Sequence, residues 1–219
     1  MPNVQAGNGQ AERSRRTRER VIRSTVGLIR QEGFPSASPQ RITEHTGLSW
    51  GAVQHHFGSK HKLLKSIVFL SRDQFHEAVS VPDYAGLALG ERIALFVDRS
   101  WQHYQSDVFL ASVEITFWHR NNGGLSGEDI ASDGGRTTQL TRTLVGRIFA
   151  GTPARIGKLV EATEYMHCVM TGLAFQMILT GNGAAFDRHL DHCKDMMMNI
   201  ALEDSTFALP AMDAPPQPV

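Results

Sequence analysis

The sequence predicts an all-α fold. Apolar residues recur at three- and four-residue spacing through several long stretches. No run alternates apolar and polar residues as a half-buried strand would. Glycines, prolines and serines fall between the periodic stretches, where they start and stop helices. With 219 residues, 41% of them apolar and 20% charged, the chain has ordinary globular composition and enough length for a substantial core.

Residues 1–12 lack apolar periodicity and read as a disordered arm, without the apolar segment of a secretory signal. A first helix follows over 13–32, carried by Val21, Ile22, Val26 and Ile29 with Phe34 beyond, and Gly33 stops it. Ser38 then precedes Pro39: a capping residue followed by proline at the first helical position, where a missing N–H costs nothing. This second helix is short, because Gly47 breaks it. Ser49 caps a third short helix ending near Phe57. After Gly58, Ser59 caps a long fourth helix through Leu63, Leu64, Ile67, Val68 and Phe75. Further helices are expected over 87–105, 107–121, 133–150, 153–180 and 184–202, with breaks at Val81-Pro82-Asp83, at 122–127 and at Gly181-Asn182-Gly183. Pro210, Pro215, Pro216 and Pro218 mark 205–219 as a flexible, Pro-rich tail. The chain therefore divides into an arm (1–12), an N-terminal helical domain (13–75), a helical body (76–204) and the tail.

Lys plus Arg, 22, equals Asp plus Glu, 22, yet the charges are unevenly spread. Between Gln10 and Lys65 stand 11 basic and 4 acidic residues, so the remainder is acidic. A basic quarter on an acidic body suits a polyanion at one end, although a solvated charged face would read the same. No stretch approaches the roughly 20 apolar residues of a membrane-spanning helix. Cys168 and Cys193 are the only cysteines, too few for a disulfide framework and in keeping with a reducing cytoplasm.

The chemistry concentrates between Gln40 and Phe57. Two short helices meet at Thr46-Gly47-Leu48, where glycine can take the left-handed conformation of a sharp turn. Ile42 and Leu48 are spaced to pack on the first helix, with Val53 and Phe57 closing the underside. Ser49, Trp50, Gly51, Gln54 and His55 are left facing outward. Small residues at Ser49 and Gly51 let a helix N-terminus approach groove walls. Gln54 can bond adenine bidentately, and Trp50 offers an apolar face and an N–H. Lys60 and Lys62 suit flanking phosphates.

The string from Ile42 to Leu64 (ITEHTGLSWGAVQHHFGSKHKLL) resembles the DNA-binding domain of the TetR/AcrR repressor family. It has that family's Ile, small-Gly-hydrophobic-Ser, Gly, aromatic-x-His-Phe, Ser-Lys and Leu, and Ser38 stands where the family caps its second helix. The likeness spans about Arg16 to Phe75. Thr43 and Thr46 replace the usual Ala. Gln54 replaces the usual Tyr, leaving open whether it meets a phosphate or a base. The resemblance implies an N-terminal three-helix helix-turn-helix domain and a C-terminal helical ligand-binding and dimerisation domain. It implies DNA contacts at Trp50, Gln54, His55, His56 and Lys60, with Ser38, Gln40 and Ser49 in support and Gly51 beside them. The partners it implies are a double-stranded, palindromic DNA operator and a small apolar effector that releases it.

For an effector pocket, the candidates are Phe96, Trp101 and His103 on one helix, Phe109, Glu114, Phe117 and Trp118 on the next, and Met166, His167 and Met170 on the 153–180 helix. The same residues could simply be core. A homodimer is expected through the 133–150 and 153–180 helices, the latter having a broad apolar stripe with small Ala162, Gly172 and Ala174. His189, His192 and Cys193 share a helix face, but no fourth ligand is spaced nearby, so no metal is assigned. No cofactor is expected. An enzyme reading is not favoured, since there is no G-x-S-x-G, no phosphate loop and no H-E-x-x-H. A helix-turn-helix regulator with no effector, or a small helical enzyme, remains the alternative.

Overall fold

Serine and glycine punctuation sets the N-terminal third of the chain. The computed structural model describes residues 4–81, 83–122, 134–180 and 186–203, and every regular element among them is helical. Helix α1 runs Val4–Glu32, and a 3-10 turn follows at Phe34–Ser36. Ser38 accepts a hydrogen bond from the Arg41 N–H and opens α2 (Pro39–Thr46). Gly47, at φ 63°, ends it in the left-handed conformation that a Cβ disfavours. Ser49 caps α3 (Trp50–Phe57) by accepting from the Ala52 N–H, and Ser59 caps α4 (Lys60–Ser80) by accepting from the Lys62 N–H. The body comprises α5 (Leu89–Tyr104), α6 (Asp107–Asn122), α7 (Gly134–Ile148), α8 (Ile156–Thr180) and α9 (Asp187–Leu202).

Several boundaries differ from the sequence reading. The expected disordered arm is helical from Val4 onward. Nothing between Gln10 and Arg13 breaks a helix, and extending an existing helix avoids the cost of nucleating one. Glu12 also pairs with Arg15 and Arg16 one turn ahead, at 2.9 and 2.8 Å. Helix α8 starts at Ile156, not Pro153. Gly151 (φ 80°) turns the chain after α7, and Arg155 accepts the first helical bond, from the Leu159 N–H. The breaks expected at 122–127 and 181–183, and the Pro-rich tail, lie almost wholly outside the described residues.

Three apolar clusters hold these elements. Val21 and Leu28 of α1 pack with Ile42, Val53, Phe57 and Leu63, the interior of the helix-turn-helix. Val26, Ile29, Phe34 and Ala37 pack with Leu64 and Ile67 of α4 and with Ala111 and Ile115 of α6. The third and largest cluster is the body core, including Phe96, Val97, Val145, Met166, Met170 and Met197. Helix α4 joins all three. Its first turns close the helix-turn-helix, its middle lies on α6, and Phe75 and Val79 reach the body. A helix of its 21 residues is about 30 Å long.

Candidate nucleic-acid interface and ligand cleft

Helix α3 buries Val53 and Phe57 and turns its other face outward. Ser49, Gly51, Gln54 and His55 are exposed on that face, and Gln40 and Lys62 lie beside it. Exposed Gln54 and His55 carry donors and acceptors suited to base edges or phosphates. Ser38 and Ser49 act through their caps: each hydroxyl oxygen is engaged by a backbone N–H. Gln40 donates to Glu44 Oε1 at 3.1 Å. Arg41, cationic and close by, is held between Glu32 and Glu44.

Three residues sit differently from the sequence expectation. Trp50, expected to be exposed, is half-buried against the helix-turn-helix core. At the first turn of α3, its indole packs against that cluster. His56 is half-buried, with Nδ1 3.4 Å from Ser14 Oγ, and its carbonyl accepts from Arg18 of α1. Lys60, expected on a phosphate, extends over the rings of Phe34 (5.7 Å) and Trp118 (5.9 Å). Burial there lowers its ammonium's pKa.

The ten expected pocket residues separate into four places. Phe96, Met166 and Met170 are fully buried in the body core, and Trp101 is packed edge-on against Phe186. Phe117 is 46% exposed and meets Phe175. Glu114 and Trp118 lie at the junction of the two domains. Glu114 Oε2 accepts from the Phe34 N–H at 3.0 Å, its Oε1 is 3.4 Å from Arg30, and Trp118 lies 5.0 Å from the Phe34 ring. Only His103, Phe109 and His167 line a cleft.

That cleft has two adjoining lobes, of about 210 and 320 Å³, sharing Arg72, Phe75 and Tyr104. The inner lobe adds Ser71, His103, Phe109 and Ser112. The outer adds His76, Thr141, Val160, Glu164 and His167. Tyr104 Oη lies 2.9 Å from His167 Nδ1, and Ser71 Oγ lies 3.4 Å from His103 Nε2. Burial pushes both imidazoles down to about 4 and the Tyr104 phenol up to about 12, so all three are neutral near pH 7. For His167, the neighbouring His76 and His103 add to that effect. Sequence reasoning missed the α4 contribution. Phe75 stood in a helix assigned to the DNA-binding domain, and only the placement of α4 against α5 and α8 exposes its far end to the cleft.

Residues 21–67 match the family described as bacterial regulatory proteins, tetR family. Among characterised relatives, the HTH-type transcriptional regulator BetI of Vibrio vulnificus (strain YJ016) is 28% identical over 106 residues, 46% of this chain and 52% of that one. BetI of Stenotrophomonas maltophilia (strain R551-3) is 31% identical over 102 residues, again 46% and 52%. The chain thus spans about half the length of the curated relatives it matches. The fold is similar over most of its length to solved structures. A putative TetR-family regulator from Mesorhizobium loti MAFF303099 has a TM-score of 0.64 at 14% identity, covering 86% of this chain and 96% of that one. The TetR-family regulator PfmR from Thermus thermophilus has a TM-score of 0.58 at 17% identity, covering 82% and 94%. The match over 21–67 falls on the helices that pack around Ile42, Val53 and Leu63, and it identifies this segment as similar to the DNA-binding domain of bacterial regulatory proteins of the tetR family.

Proposed function

We propose that this protein is a DNA-binding transcriptional regulator. It works as a homodimer and leaves its operator when a small molecule occupies the cleft beside α4. The observation that carries the reading is α3: a capped helix, set by the Gly47 turn, that buries Val53 and Phe57 and presents Ser49, Gly51, Gln54 and His55 to solvent. One such helix covers only a few base pairs, so a two-fold pair on a palindrome supplies the affinity.

The cleft and the helix-turn-helix share two rigid connections. Helix α4 lines the cleft with Ser71, Arg72 and Phe75 and seats Leu63 under α3. Helix α6 lines it with Phe109 and Ser112 and, further along, holds the Phe34 N–H through Glu114. A ligand that displaces α4 from α6 changes the seating of the DNA-binding domain, provided it binds one arrangement better than the other.

For the dimer, α8 offers a face of its own. Tyr165, Cys168, Gly172 and Leu179 are exposed at the three- and four-residue multiples of a helix seam. Of the small residues expected at the partner surface, Ala162 and Ala174 are buried within the protomer, while Gly172 is exposed. The proposed seam keeps Gly172 and is otherwise turned away from the stripe read in the sequence.

The test is to sequence DNA fragments selected by the purified protein and to measure Gln54→Ala and His55→Ala on the enriched site. Each variant should lose about 1–3 kcal/mol of discrimination while its melting temperature is unchanged. Failure to enrich any two-fold sequence, or full specificity in both variants, would refute the reading.

A further inference from the structure

The cleft has a chemical character more definite than an apolar hole. We propose that it takes an uncharged aromatic molecule carrying two hydrogen-bonding oxygens, its ring along Phe75, Tyr104 and Phe109 and its oxygens on the imidazoles of His103 and His167. This rests on the reading of the cleft as an effector site.

The apolar part follows from ring geometry. Tyr104 and Phe109 have centroids 4.4 Å apart, and Phe75 stands 6.1 Å from Tyr104 with the two planes at 83°. Together they make a wall against which a planar ring can lie offset or edge-on, the arrangements aromatic pairs prefer. Both imidazoles touch the same Phe75 ring, His103 at 5.4 Å and His167 at 5.1 Å, which places them within reach of one small molecule.

The polar part follows from counting ring nitrogens. His103 meets Ser71 through Nε2, and His167 meets Tyr104 through Nδ1. Among the described residues the other nitrogen of each, Nδ1 of His103 and Nε2 of His167, has no hydrogen-bond partner. A neutral imidazole has one donor and one acceptor nitrogen, so each ring presents one vacant group, donor or acceptor according to its tautomer. A hydroxyl satisfies either, and a ketone or ester carbonyl satisfies a donor. A carboxylate also only accepts, and it brings a charge.

Charge decides against the carboxylate. The outer lobe is lined by one fixed charge of each sign, Arg72 and Glu164, with His76 beside them. The two imidazoles that would hold the oxygens, His103 and His167, are neutral and supply no countercharge. A carboxylate would leave water for a site that already holds the Glu164 carboxylate, which is costly. The volumes suit a molecule of one or two rings.

Calorimetry on the full chain with three probes of similar shape tests this. They are 4-(4-hydroxyphenyl)-2-butanone (neutral, two oxygens), 3-(4-hydroxyphenyl)propanoate (anionic) and butylbenzene (no oxygen). The butanone should bind at least tenfold tighter than either analogue. His103→Phe and His167→Phe should each weaken the butanone five- to tenfold while leaving butylbenzene unchanged, which shows that the cleft has stayed folded. His167→Asn should recover part of the loss. Tighter binding of the propanoate, or equal binding of butylbenzene and butanone with no effect of the histidine variants, would overturn the ligand class and leave the cleft standing as a site. No binding of any probe by a protein that still binds its selected DNA would overturn both.

Discussion

Replacing Glu114 with alanine removes two contacts at the seam between the DNA-binding helices and the body. One is the hydrogen bond from the Phe34 N–H to Oε2, at 3.0 Å. The other is the longer contact of Oε1 with Arg30, at 3.4 Å, where both side chains are about one-fifth exposed. The ion pair contributes less, because Arg30 keeps Asp107 at 3.4 Å and exposed pairs are worth at most about 1 kcal/mol. The amide matters more. Phe34 is 6% exposed, and a buried N–H stripped of a charged acceptor costs about 1–3 kcal/mol. Glu114→Ala should therefore lower the unfolding free energy by about 2–3 kcal/mol, and Glu114→Gln, which keeps an oxygen for Phe34, by about 1 kcal/mol. Urea unfolding followed by tryptophan fluorescence measures this directly, since Trp118 stacks near Phe34 in the same seam. If the seam couples cleft to DNA, Glu114→Ala should also weaken the response of DNA binding to ligand. An alanine variant within about 0.5 kcal/mol of the parent, on the order of an indifferent surface change, would refute the assignment of Glu114 to the junction.

Lys60 and Lys62 should behave oppositely. Lys62→Ala should reduce the salt slope of DNA binding by about 0.9, while Lys60→Ala leaves the slope alone and lowers stability, because its ammonium lies over Phe34 and Trp118; equal slopes for Lys62→Ala and parent would count against it. Acid should destabilise the body. His103 and His167 titrate near 4 when folded against 6.5 unfolded, so their neutral packing is worth its full value above about pH 6.5 and is lost progressively as pH falls toward 4. At about 1.4 kcal/mol per pKa unit the loss is several kcal/mol, and His103→Gln should shrink the difference in urea midpoint between pH 7.5 and 4.5; an undiminished difference would contradict it. Tyr165→Glu with Leu179→Glu should give a monomer by light scattering. Mild oxidation of the parent should cross-link the dimer through exposed Cys168 alone, since Cys193 is buried with its thiol pKa raised; a dimer that survives both glutamates would place the interface elsewhere.

The sequence by itself determined what is local. Ser38-Pro39, Gly47, Ser49 and Gly58-Ser59 act on their own turn of chain through a cap or a left-handed φ, so α2, α3 and the start of α4 could be read off directly. The core face of α3 was equally legible, because Val53 and Phe57 lie one helical turn apart and must share a side. The extent of α1 was not, since a weakly periodic segment becomes helical or not according to what it continues. Which apolar residues line a cleft was decided only by tertiary structure. Phe96, Met166 and Met170 are chemically as suitable as Phe75, Phe109 and His167, but a helical repeat says which side of a helix is apolar and not what stands opposite it. The same holds for Glu114 and Lys60. Their partners, Phe34 and Trp118, are far away in the chain, and the packing of α6 across α1 and α4 turned an expected pocket residue and an expected phosphate contact into parts of one joint.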